Sequence, residues 1–340
     1  MRAPKDRAIG IPSRLRTPAA KYRLGLAATV VALFAGLATV YPQFATLSNL
    51  EVLAMTFILE AFMALGMTAV IVSGGIDLSV SAVLPFSAII TGLLLRAGTP
   101  IPIAVATALG ASAAVGATNA AVQSVFRVHP FIATLATMLS LKGVNLVITH
   151  GAPIAGFPAS FAYLGQGRLL GLPFSLLLFA VMACAAGWFL ANHRLGQQVY
   201  LIGGNARAAR LSGVKVGRVL FALYSISSLL AGLAGVIAAS QYVSASTGFG
   251  QNSELRVITA VAVGGASLNG GTGSIGGTVL GVLFLAIVYN AFAMSGVSTY
   301  WQDVVSGAMV LAAVLLAQVA ARDSRARAGA GKTAVSRPAA

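Results

Sequence analysis

The chain has 340 residues, of which 58% are hydrophobic and only 9% charged, and its formal net charge is +15. A soluble domain carries about 25% charged residues, so this chain has too little polar surface to face water on every side, and a bilayer is the solvent it fits. The positive charge does not point to nucleic acid, because the basic residues flank apolar runs and no basic face carries stacking aromatics.

In chain order, residues 1–23 read as a basic cytoplasmic tail holding Arg2, Lys5, Arg7, Arg14, Arg16, Lys21 and Arg23. The apolar run from Leu24 to Tyr41 is too long for a signal-peptide core and lacks a small-x-small cleavage site, which predicts an uncleaved first span. A polar break, Pro42 to Asn49, precedes a second span from Val52 to Val72 that carries Glu60 at mid-depth. Ser73-Gly74-Gly75 interrupts it, and a third span runs from Leu78 to Leu95. Pro100 and Pro102 mark the next turn. A fourth span follows from Ile103 to Gln123, and a fifth, from Phe131 to Thr149, contains Lys142.

The second half begins with a loop from His150 to Leu172 and a sixth span from Pro173 to Ala191. A basic loop, His193 to Arg218, leads to a seventh span, Val219 to Ser240. Residues 257–302 hold no charge, and the glycine-rich stretch Gly264 to Gly277 divides them. That division predicts a short eighth span around Val257–Val263 and a ninth from Thr278 to Met294, with a tenth from Trp301 to Val319. Residues 321–340 read as a basic, disordered cytoplasmic tail. The expectation is an all-α, polytopic membrane bundle of about ten transmembrane helices, with residues 24–320 as the membrane domain. Ten spans put both termini on one side. With the termini inside, the inner segments hold both basic tails, Arg127 and the central cluster Arg194, Arg207, Arg210, Lys215 and Arg218. The outer loops hold only Arg96, Arg168 and Arg256. That bias makes both ends cytoplasmic.

Catalytic chemistry has little to work with. There is one cysteine, Cys184, and the histidines His129, His150 and His193 sit at the ends of apolar runs, so neither a disulfide nor a metal cluster is expected. The seven acidic residues form no close pair in sequence, and neither Gly-x-Ser-x-Gly nor His-Glu-x-x-His occurs. Gly329-Ala330-Gly331-Lys332-Thr333 ends like a phosphate loop, but Ala326 stands where the loop's first glycine belongs and no strand precedes it. The chain is therefore read as neither an enzyme nor a binder of ATP.

Charged groups inside spans cost about 2.5–3.5 kcal/mol each and mark functional candidates. Glu60 either faces a solute path or bonds a neighbouring helix. For Lys142, structural pairing is the favoured reading. Asp77 follows two glycines and is best read as a cap on the backbone N–H groups of a helix start. The segments before Gly74-Gly75 and Gly264-Gly265 look alike, Thr-Ala-Val-Ile-Val and Thr-Ala-Val-Ala-Val. Glycine-interrupted spans at matching places in two halves point to a transporter's central path, with coincidence in a Val/Ala/Gly-rich chain as the alternative. The candidate path residues are Glu60, Gly74, Gly75, Asp77, Gly264 and Gly265. In the basic loop, Ala206, Ala208 and Ala209 favour helix between Gly204 and Gly213.

Four segments carry a family resemblance. Ser73 through Ser81 (SGGIDLSVS) resembles the GGIDLSVG segment of bacterial ABC-transporter permeases of the ribose/xylose/rhamnose type, and His129 through Met138 (HPFIATLATM) looks like their PPFIATLGTM. Ile202-Gly203-Gly204-Asn205 with Ala208 through Val214 is similar to their GGN-x-x-AARLSGI. Glu254 through Gly277, followed by Gly296-Val297-Ser298 and Tyr300-Trp301-Gln302, matches their remaining glycine-rich and GVS-x-x-WQ stretches. Three positions depart from the pattern: Ser81 replaces a glycine, Arg256 stands where an acidic residue is common, and Thr272 where a charged one often sits.

The resemblance implies a channel-forming permease subunit in the bacterial plasma membrane, importing a small polar solute, foremost a monosaccharide. It implies a second permease subunit, an external solute-binding protein, and a cytoplasmic ATPase that alone binds ATP and Mg. It also implies that Asn205, Arg207, Ala208, Ala209, Arg210, Leu211, Ser212 and Gly213 form the ATPase-coupling segment. The alternatives are an ATP-independent carrier or channel, and an importer of nucleosides or another polar metabolite.

Overall fold

The computed structural model describes residues 18–298 and, beyond them, 300–301, 304–305, 307–309 and 311–312. The basic tail before Pro18, the tail after residue 320 and most of the expected tenth span lie outside the described residues. Every described residue from Tyr300 to Ala312 is helical.

The first helix, α1 (Pro18–Val40), ends before a 3₁₀ turn at Pro42–Ala45. Helix α2 (Leu47–Val72) starts earlier than the apolar run suggested, because the Thr46 hydroxyl accepts the Asn49 N–H and caps it. At about 1.5 Å per residue, its 26 residues reach about 39 Å, more than the bilayer core requires. The chain then turns through residues 73–79 into α3 (Val80–Arg96). Prolines set the starts of α4 (Ile101–Val125) and α5 (Pro130–Thr149), where a missing N–H costs nothing.

The long outer connection is ordered by small pieces. Strand β1 (Ile154–Ala155) precedes a 3₁₀ turn, the single turn α6 (Tyr163–Gln166), and the hairpin of β2 (Arg168–Leu169) with β3 (Leu172–Pro173). Helix α7 (Phe174–Asn192) follows. The basic stretch expected as a loop is instead largely helical, α8 (Arg194–Leu211), broken at Asn205 by extended backbone (φ −163°, ψ 99°). Helix α9 (Val216–Tyr242) leads to β4 (Ser244–Ala245), which pairs antiparallel with β1. The chain then passes through residues 246–252 to α10 (Ser253–Val263), a glycine-rich turn, and α11 (Ile275–Met294).

Seven of the described helices (α1, α2, α4, α5, α7, α9 and α11) are long and apolar enough to cross a membrane, and α3 is a shorter apolar helix. The expected eighth span is α10, whose 11 residues reach only about 16 Å, half a bilayer. Arg256, expected in an outer loop, lies on α10.

Helix α9 is the centre of the bundle, packed on α2, α3 and α4. Small residues permit this, since in lipid close backbone approach replaces the hydrophobic drive. A Cβ on Gly235 would strike the Leu84 carbonyl oxygen of α3, and one on Gly116 of α4 would strike the Tyr224 carbonyl of α9. At one end of the bundle, Asn49 and Asn290 exchange amide hydrogen bonds of 3.0 and 3.1 Å between α2 and α11. Glu51 takes a two-point pair from Arg168 at 2.9 and 2.6 Å at the same end. The opposite end gathers α8 and the N-termini of α1 and α9, and with them Lys21, Arg23, Lys215 and Arg218.

Candidate functional site

The turn after α2 is buried and polar. Gly74, at φ +86°, lets the chain reverse where side-chain-bearing residues rarely can. Gly75 lies against the Tyr224 ring and hydroxyl, which leaves no space for a side chain. Asp77 is fully buried and accepts three hydrogen bonds: the Ser79 N–H (3.1 Å) and hydroxyl (2.5 Å) at Oδ1, and the Ser227 hydroxyl (2.9 Å) at Oδ2. Two carboxyl oxygens have lone pairs enough to accept all three. The Ser79 hydroxyl in turn accepts from Asn119 Nδ2 (2.9 Å), whose Oδ1 accepts from Thr137 (2.6 Å). Asp77 thus closes a turn onto Ser79, just before α3, and anchors a polar chain through α9, α4 and α5. Sequence spacing could not place Ser227, Asn119 and Thr137 beside it, because the chain folds over long separations to bring them there.

The second glycine break sits at the basic end. Gly264 lies against the Gly277 backbone, and Gly265 (φ +89°) lies beside the Tyr22 ring, whose hydroxyl donates to the Val263 carbonyl at 2.7 Å. The two breaks meet through Gly203 of α8. A Cβ on Gly203 would strike the Val72 carbonyl oxygen and the Gly271 nitrogen, and the Gly271 N–H itself donates to that Val72 oxygen at 2.8 Å. Tyr200, one turn earlier, donates to the Gly273 carbonyl at 3.0 Å. Burial raises the Tyr200 pKa, which keeps this donor protonated.

Glu60 and Asp77 do not touch one another. Glu60 Oε1 instead accepts from Arg256 Nε at 2.7 Å, a pair between α2 and α10 whose side chains are only 15% and 21% exposed. Lys142 of α5 approaches Glu254, two residues before Arg256 on α10, at 3.9 Å. Two cations and two carboxylates on three separate elements therefore compensate within the membrane.

The segment after the α8 kink has the form of a docking helix. Asn205 Oδ1 accepts the N–H groups of Arg207 and Ala208, both at 3.0 Å, and so starts a new helical turn. Gly213 (φ +84°) follows its C-terminus, the usual left-handed stop. Ala209 packs inward, while Arg207, Arg210 and Leu211 face out, Leu211 at 84% exposed. Ser212 caps the end of the helix.

With this geometry in view, comparison with known proteins is decisive. Residues 48–314 match the family described as "Branched-chain amino acid transport system / permease component". The chain belongs to this permease family. It is 39% identical over 291 residues to the ribose import permease protein of Escherichia coli (strain K12), covering 84% of this chain and 91% of that protein. It is 39% identical over 279 residues to the ribose import permease protein of Bacillus subtilis (strain 168), covering 81% and 86%. The autoinducer 2 import system permease protein LsrD of Escherichia coli O9:H4 (strain HS) is 33% identical over 300 residues, covering 86% and 91%. No solved structure matches. The permease is a multi-pass protein of the bacterial plasma membrane, and its family and these relatives are transport permeases, not enzymes.

Proposed function

We propose that this permease forms the path by which a monosaccharide crosses the membrane in an ABC importer. Its partners in this reading are a cytoplasmic ATPase that holds ATP and Mg, an external binding protein that delivers the sugar, and a second permease subunit. The carrying observation is the 39% identity to two ribose import permeases along more than four-fifths of the chain. The outward-facing Arg207, Arg210 and Leu211 on a capped helix at the basic end support ATPase docking there. The alternative of an ATP-independent carrier has no comparable surface in its favour. The likeness to an autoinducer 2 permease favours a second reading, in which another small polar solute is carried by the same machinery.

The test is uptake of radiolabelled D-ribose, D-xylose, L-rhamnose and a nucleoside by cells expressing the permease with its ATPase and binding protein. Uptake of a sugar that stops when the ATPase is made hydrolysis-deficient is the expected result. Uptake that persists without ATP hydrolysis would establish a secondary carrier instead, and uptake of the nucleoside alone would shift the solute class.

A further inference from the structure

Residues 246–252 leave the β4 strand at the outer end and descend between helices before α10 begins. Their depth is fixed by neighbours. A Cβ on Gly250 would sit 3.5 Å from the Ser81 carbonyl oxygen and 3.3 Å from Leu84, at the start of α3. Arg256, just beyond, pairs with Glu60 well inside both ends of α2. A cavity of about 250 Å³ opens beside this descending segment, lined by Ser81, Lys142, Asn145, Thr247, Gln251 and Asn252, with Pro85 and Phe249 supplying apolar wall.

Three properties separate this cavity from a packing defect. First, Gln251 and Asn252 are exposed and the Lys142 side chain is 40% exposed, at a depth where lipid contact would strand their polar groups. Second, the wall holds acceptors without protein partners. Asn145 is 1% exposed, yet its Oδ1 has no hydrogen-bond partner, while its Nδ2 is committed to the Ala82 carbonyl at 3.1 Å. Third, Pro85 has no N–H to give the Ser81 carbonyl its helical bond, so a backbone acceptor is released at the cavity wall. Lys142 adds donors, since its 3.9 Å approach to Glu254 is too long for a hydrogen bond and leaves Glu254 Oε2 unpartnered.

The geometry points to this cavity as a water-filled station on the solute path that accepts a polyhydroxylated molecule, an inference that rests on the importer reading above. Each sugar hydroxyl both donates and accepts. It can donate to Asn145 Oδ1 and the Ser81 carbonyl while accepting from Lys142 and Gln251. The space is small beside the roughly 300–1,000 Å³ pockets that enclose drug-sized ligands, which suits a solute of single-sugar size. The charges present are internally balanced, and a neutral solute need not displace either ion pair.

The test uses the full permease with its transport partners, in a Cys184→Ser background that still takes up solute. Thr247→Cys and Gln251→Cys are compared with Val147→Cys, an exposed position (73%) on α5 that does not line the cavity. Freeze–thawed membranes are treated with a sulfonate-bearing methanethiosulfonate, which needs water and a thiolate to react. Reaction at 247 and 251 should exceed that at 147 by about tenfold or more. For a site with a Kd of about 25 mM, about 100 mM D-ribose, D-xylose or L-rhamnose, whichever is carried, should then slow it about fivefold. Equal betaine, which has no hydroxyl, should not. Reaction no faster than at 147 would overturn the watery cavity. Fast reaction left unprotected by a sugar that the Cys184→Ser parent does take up would overturn the station. If the Cys184→Ser parent takes up none of the three while its Gln251→Cys variant still reacts quickly, the monosaccharide reading falls and the water-lined cavity stands.

Discussion

Glu60 and Arg256 show how a charged residue survives at membrane depth. A lone charge there is expensive, but a hydrogen-bonded pair at 2.7 Å offsets most of that cost. Removing one partner leaves the other uncompensated, so Glu60→Gln or Arg256→Gln should each destabilise the purified permease by about 3 kcal/mol. The double variant should recover most of that loss, because no bare charge remains. Thermal unfolding in detergent checks this, and a double variant as unstable as the two singles added together would reject the pairing. Glu60 bonds Arg256 of the neighbouring helix α10, and a cavity of about 160 Å³ lies directly against the two side chains. Lys142 likewise has a carboxylate within reach, Glu254.

At the scale of elements, most helix positions were legible and most junctions were not. The ends of α4, α5, α7 and α11 fall within a few residues of the apolar runs, since proline, histidine and glycine punctuate them. The run before Gly264 was too short to decide anything by itself, and only the packing of α10 on α2 and α11 shows a half-length helix. The basic stretch misled for a physical reason. Its Arg, Gln and Gly content reads as a solvated loop, whereas Val199, Ile202 and Ala209 bury a face that periodicity alone leaves faint. Its second half was legible, because Ala206, Ala208 and Ala209 favour helix and Gly213 is the residue type a helix stop requires. That short helix carries the next prediction. Replacing Arg210 and Leu211 together by Glu reverses charge and removes an exposed apolar contact. Solute-stimulated ATP hydrolysis in reconstituted vesicles should fall to the basal rate while the permease remains inserted and folded. Unchanged stimulation would remove this segment from the coupling role.

For the whole molecule, the positive charge gathers at one end of the bundle and the Glu51–Arg168 clamp holds a loop at the other. By the positive-inside rule, the expected orientation puts the α8 end on the cytoplasmic side. In a Cys184→Ser background, Arg207→Cys should react with an impermeant reagent only from the cytoplasmic side, and Gln166→Cys only from outside. Labelling of both from one side would refute this orientation. Gly203 links that end to the interior. Its backbone lies directly on the Val72 carbonyl and the Gly271 nitrogen, with no side chain between three converging segments. A side chain at such a contact could change rotamer and take up part of any displacement. Bare backbones have no such freedom, so movement of α8 passes to α2 and to the loop before α11 together. In mechanical language this is a joint without backlash: a small stroke at the cytoplasmic face is not lost before it reaches both halves of the bundle.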